Sequence, residues 1–172
     1  MSHELIILRH AKSDWDSGAS SDFDRPLSRR GKQDAPRVGR WLHEQGLIPD
    51  HVISSPAKRA KKTARAVCEA LAIKRKRLHF DERVYMADLD TLLTVISEVS
   101  PEVRRLLLVG HNPGLDELLL YLSEFEPSYT TNGKLLTTAA VACLSLPQGW
   151  SGLEKASAGL RLLVRPADIV EA

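Results

Sequence analysis

Four consecutive apolar residues, Leu5-Ile6-Ile7-Leu8, run directly into Arg9 and His10. A continuous apolar run this short reads as a strand buried on both faces. The design recurs at Leu106-Leu107-Leu108-Val109-Gly110-His111, followed by the turn residues Asn112-Pro113-Gly114. A third run, Val52-Ile53-Ser54, passes through Ser55-Pro56 into Arg59. Helical spacing fills the intervals. Ser28 is the expected N-cap of a helix over 28–45, with Gly46 as its stop and Val38, Trp41 and Leu42 as its apolar stripe. Pro36 lies inside it and predicts a bend or break. Residues 57–71 form a second helix, with Ala60, Ala64, Val67 and Leu71 on one face. A short strand over 77–80 and a loop over 81–85 follow. Asp88 or Asp90 caps a helix over 92–99. Pro113 suits the first turn of a helix whose apolar face is Leu115, Leu118, Leu119 and Leu122. Strands over 139–146 and 160–164 close the chain as antiparallel additions. This alternation predicts a three-layer α/β/α sandwich with a mixed, mostly parallel central sheet, as one domain over residues 1–172.

Composition narrows the classes. Hydrophobic residues make up 43% and charged residues 27%, as in soluble globular proteins. Aromatics are only 5%, so the core must be mostly Leu, Val, Ile and Ala. The apolar run before Arg9 is too short for the core of a signal peptide, and no run approaches the ~18 residues of a membrane span. A cytoplasmic protein without a membrane partner is expected. Cys68 and Cys143 lack CxxC spacing and read as reduced core thiols. The net charge of +2 does not single out nucleic acid. One segment is strongly basic: residues 58–77 hold nine Lys/Arg and one acid, Glu69. A solvated helix face is the first reading of this run. A field steering an anionic, protein-sized substrate is the second. Nucleic acid ranks last, because no aromatic residue interleaves the run to stack bases.

The candidate chemistry sits at strand ends, where open α/β sheets bind ligands. Arg9 and His10 end the first strand and His111 ends a later one, while Arg59 stands in the first turn of a helix. Taken alone, each pair could be ordinary surface polarity. Together, two arginines and two histidines make a pocket for a tetrahedral dianion. A guanidinium cannot discharge by losing its proton, and it offers bidentate hydrogen bonds to phosphoryl oxygens. One neutral histidine can attack phosphorus, and a second can stabilise the transferring group. The loop over 11–27 adds Lys12 and Arg25 as anion-facing candidates. With no HExxH, acidic cluster or Walker loop, neither a metal nor another cofactor is expected.

Leu-Arg-His-Ala at 8–11, Ser-Ser-Pro-Ala-Lys-Arg-Ala at 54–60 with Lys-Lys-Thr-Ala at 61–64, and Val-Gly-His-Asn-Pro-Gly at 109–114 resemble the histidine phosphatase superfamily. The resemblance is nearest to its small SixA-type phosphohistidine phosphatases. Asp-Arg-Pro-Leu-Ser at 24–28 and Gly31 fit that branch, and the likeness spans nearly the whole chain. It implies a phosphoglycerate mutase-like fold. It also implies His10 as the nucleophile, Arg9 and Arg59 as phosphoryl ligands, and His111 as a second pocket histidine that stabilises the transition state. Ala11 replaces the superfamily's usual glycine after the histidine, a change common in this branch. Glu82 stands near the place of the general acid of many relatives, or it pairs with Arg83 or solvent.

Leaving-group chemistry bears on the substrate. An alkoxide, whose conjugate acid is near the ~15.7 of water, needs a proton donor far more than a histidine, near ~6.5. The short segment between Arg59 and Glu82 leaves no room for a lid and predicts an open pocket. The expected activity is phosphate removal through phospho-His10, with phosphohistidine on a signalling or phosphotransfer protein as the partner. A small phosphorylated substrate is the alternative, with a mutase less favoured. A non-catalytic phosphate-binding module is the reading from a different class.

Overall fold

The computed structural model describes residues 2–170. One sheet holds β1 (His3–Arg9), β2 (His51–Ser54), β3 (Leu78–Phe80), β4 (Arg105–Gly110), β5 (Val141–Leu146) and β6 (Gly159–Val164). Their spatial order is β3-β2-β4-β1-β5-β6. The first four run parallel, β5 is antiparallel to β1, and β6 is antiparallel to β5. The helices are α1 (Arg29–Glu44), α2 (Lys58–Ala70), α3 (Leu89–Ser97) and α4 (Gly114–Leu122). The fold is α/β, with a mixed, mostly parallel sheet.

The continuous apolar runs follow from this layering. Leu5 and Ile7 pack with Leu92, Ile96, Leu115 and Leu118 of α3 and α4. Ile6 and Leu8 pack on the other face with Val38, Leu42, Ala64 and Val67 of α1 and α2. With helices on both faces, neither set of alternate side chains meets water, and the strand has no polar face to encode. The helices that follow β1 and β4 therefore leave to opposite faces. Adjacent parallel strands whose connections diverge this way open a crevice at their carboxyl ends. Arg9 and Gly110 pair across that edge, so the residues after them, His10 and His111, enter the crevice side by side.

Several expectations hold and some need correction. The Ser28 side chain caps α1 by accepting the Gly31 N–H at 3.1 Å. The helix runs through Pro36 without interruption. Pro36 lacks an N–H for the carbonyl of Lys32, but Lys32 is exposed and water can meet that carbonyl. Helix α3 starts at Leu89, three residues before the expected 92, because Asp88 is its cap and accepts the Thr91 N–H at 2.9 Å. The expected strand over 139–146 starts only at Val141. Ala139 has φ +60° and turns its N–H toward the carbonyls of Arg9 and His10, at 3.1 Å from each. Residues 82–84 form a short 3-10 turn rather than plain loop.

Cys68 and Cys143 are buried and free. Burial pushes their thiols up to about 11 and about 12 respectively, with Glu4 adding to the second. No described helix is long and apolar enough to cross a membrane.

Candidate active site

The crevice is a cleft of about 230 Å³ lined by Arg9, His10, Arg59 and His111, with Lys12 and Arg25 at its side. The ring centroids of His10 and His111 lie 5.2 Å apart. His10 is 6% exposed. Its Nδ1 lies 2.7 Å from the Ala11 carbonyl oxygen. A carbonyl only accepts, so this contact places the proton on Nδ1 and leaves Nε2 unprotonated. Nε2 faces the Arg59 Nε–H at 3.4 Å. Burial lowers the His10 pKa to about 3, and the neighbouring charges of His111, Arg59 and Arg9 act in the same direction. At neutral pH His10 is therefore an uncharged imidazole with a defined tautomer, its Nε2 lone pair turned to the Arg59 Nε–H at the long distance of 3.4 Å.

His111 is held differently. Its Nε2 lies 2.7 Å from Ser55 Oγ, which also accepts the Ala57 N–H at 3.2 Å. Ser55 Oγ keeps both its proton and a second lone pair for Nε2, so this contact serves either ring tautomer, while Nδ1 is a buried atom without a hydrogen-bond partner among the described residues. Burial lowers the His111 pKa to about 4, with Arg59 next among the causes.

The arginines are fixed by backbone and carboxylates. Arg9 donates to the Leu136 carbonyl at 3.0 Å, while its buried Nε has no partner among the described residues. Burial draws the Arg9 pKa down and Asp116 holds it up. The guanidinium stays protonated regardless. Arg59 is 2% exposed and emerges from the first turn of α2. It donates to the Asp22 carbonyl at 2.7 Å and to the Asp22 carboxylate at 3.0 Å. Thr63 ties this helix to the loop that follows His10: its hydroxyl donates to the Arg59 carbonyl at 2.7 Å and accepts the Ala11 N–H at 3.0 Å.

The structure thus brings together Arg9, His10, Arg59 and His111, and adds Lys12 and Arg25. Arg25 donates to Ser13 Oγ at 2.9 Å and to the Asp22 carboxylate, and lies 3.6 Å over the Trp15 ring. Glu82 is exposed and does not line this cleft. Nor does it pair with Arg83, whose guanidinium meets Asp81 and Glu98, each at 2.8 Å.

Among the described residues lining the cleft, Asp22 is the one carboxylate. It accepts the Tyr85 hydroxyl at 2.6 Å besides the two arginines. Those contacts, Tyr85 first, hold its pKa well below the ordinary carboxylate range. Sequence reasoning missed Asp22, Ser55 and Tyr85 as parts of the site. Asp22 lies in a loop with Asp14, Asp16 and Asp24, and nothing in the sequence marks it out from them.

The chain belongs to the histidine phosphatase superfamily. A family model for its branch 1 matches residues 5–85. An uncharacterized chloroplastic protein of Arabidopsis thaliana is 32% identical over 164 residues, covering 87% of this chain and 75% of that one. Among solved structures, a proposed phosphohistidine phosphatase SixA from Nakamurella multipartitia superposes with a TM-score of 0.80 at 26% identity, covering 96% of this chain and 97% of that one. The protein histidine phosphatase SixA in complex with tungstate gives a TM-score of 0.80 at 22% identity, with 95% and 97% covered.

Proposed function

We propose that this protein is a protein-histidine phosphatase that works through a phospho-His10 intermediate in the cytoplasm. The observation that carries this reading is the state of the cleft's carboxylate. Asp22 is held ionised by Tyr85, Arg25 and Arg59, and Glu82 stands exposed outside the cleft. A serine or sugar alkoxide would leave without an acid to protonate it. The imidazole of phosphohistidine needs none when its second nitrogen is already protonated, because it departs as a neutral ring.

In the proposed reaction, His10 Nε2 attacks phosphorus and a new N–P bond forms as the substrate N–P bond breaks. Arg9 and Arg59 neutralise the equatorial oxygens, and the His111 ring stabilises the charge that develops beside it. His10 becomes a phosphoimidazolium whose Nδ1–H stays on the Ala11 carbonyl. Water then attacks phosphorus, the N–P bond breaks, and His10 leaves as the neutral ring it was. The water's protons depart with inorganic phosphate.

The test is phosphate release from a phosphohistidine-bearing protein and from a phosphoserine peptide, for wild type and His10→Ala. Release from the first substrate alone, reduced at least about 1000-fold in the variant, is the expected result. Comparable release from both substrates would identify a general phosphomonoesterase. Release from neither, with phosphate still bound, would identify a binding module.

A further inference from the structure

Helix α2 carries one of its charges into the cleft and leaves the others outside. Arg59 is buried. Lys58, Lys61, Lys62 and Arg65 follow around the same helix, and residues 74–77 add four more cations beyond its far end. None of these eight side chains forms an ion pair among the described residues. Glu69 is the one acid of α2, so these cations leave a strongly basic stripe beside the cleft. On α2 itself the run from Lys58 to Arg65 covers about 10 Å at the usual rise per residue.

The stripe borders a depression. Pro26, Leu27, Ala35 and Ala66 form its apolar floor, and Lys32, Lys58 and Lys62 stand on its rim, around about 380 Å³. It shares a wall with the cleft, since the loop that sends Asp22 and Arg25 into the cleft sends Pro26 and Leu27 into the depression. The Lys58 N–H donates to the Phe23 carbonyl at 2.9 Å and fixes that loop against α2. An apolar hollow ringed by lysines matches one kind of occupant: an apolar side chain flanked by carboxylates.

We propose that this depression and the α2 stripe dock an acidic protein segment that carries an exposed apolar side chain, on the same partner that presents its phosphoryl group to the cleft. The partner clause rests on the protein-histidine phosphatase reading; the docking chemistry does not. A protein is favoured over nucleic acid on two grounds. A phosphate backbone has no use for the apolar floor. Phe80, the ring that follows the basic run, is already engaged by Lys61 and Arg65 at 5.3 and 5.6 Å, leaving no free stacking platform.

The experiment uses fluorescence anisotropy with three labelled probes. They are a 12-residue Glu/Asp peptide with a central Leu, the same peptide with a central Ala, and a single-stranded DNA of equal charge. Wild type is compared with the Lys32→Gln/Lys62→Gln double variant, and turnover of free phosphohistidine is recorded for both. The Leu peptide is expected to bind about tenfold more tightly than the Ala peptide and to weaken about tenfold in 0.3 M salt. The double variant should lose about tenfold in peptide affinity while its phosphohistidine turnover stays within about twofold of wild type. No peptide binding, binding unchanged in the double variant, or DNA binding as tight as the peptide's would each overturn the proposal. Peptide binding as expected without phosphohistidine turnover would overturn only the catalytic reading.

Discussion

Asp22 lines the cleft and holds one of its guanidinium groups. Its carboxylate occupies the Arg59 guanidinium at 3.0 Å and also takes Arg25 and the Tyr85 hydroxyl. An arriving phosphoryl group must compete with it. Asp22→Asn should therefore tighten inorganic phosphate binding about tenfold, read as a lower inhibition constant for phosphate. The histidines make a separate prediction. His10 and His111 have pKa values of about 3 and about 4 in the folded chain, against about 6.5 when unfolded. Between those values the unfolded chain binds more protons, so stability falls as pH drops from about 6.5 toward 4. Thermal melts should show the midpoint declining over that interval, and His10→Asn should flatten the decline. Arg9, His10, Arg59 and His111 were legible in the sequence because each follows an apolar run at a strand end or the next helical turn. Asp22, Ser55 and Tyr85 were not, because their roles arise only when separate loops meet.

The α1–α2 pair controls how the cleft is framed. A Cβ on Gly39 would lie 2.7 Å from the Ala70 Cβ and 3.1 Å from Val67 backbone, so these helices touch through a bare backbone. Gly39→Val should cost about 1–3 kcal/mol by overpacking, seen as a lower urea midpoint at unchanged slope. At the helix start, Ser28→Ala should cost about 1 kcal/mol in the same assay, because the Gly31 N–H loses its acceptor. The sequence displayed α1 and its cap plainly, since capping is local chemistry. It concealed the start of β5, where Ala139 takes a left-handed turn to meet Arg9 and His10 across the fold. A residue recruited by a distant carbonyl carries no mark in its own neighbourhood.

At the scale of the molecule, the layers were readable and the strand order was not. Strands buried on both faces look alike in sequence, so nothing in the pattern says that β4 inserts between β2 and β1. Yet that insertion is what sets His10 beside His111. In the proposed reaction, the tethering of His10 has a consequence for the fate of the phosphoryl group. Its ring is enclosed, its Nδ1 is fixed to the neighbouring carbonyl, and its loop is tied through Thr63 to the helix bearing Arg59. A histidine that ferries phosphate between proteins must present its ring to successive acceptors. This one has no such swing, so whatever takes the phosphate must come to it, and the smallest visitor is water. In the role proposed for it, the burial that disarms His10 as a base also makes it a terminus rather than a relay.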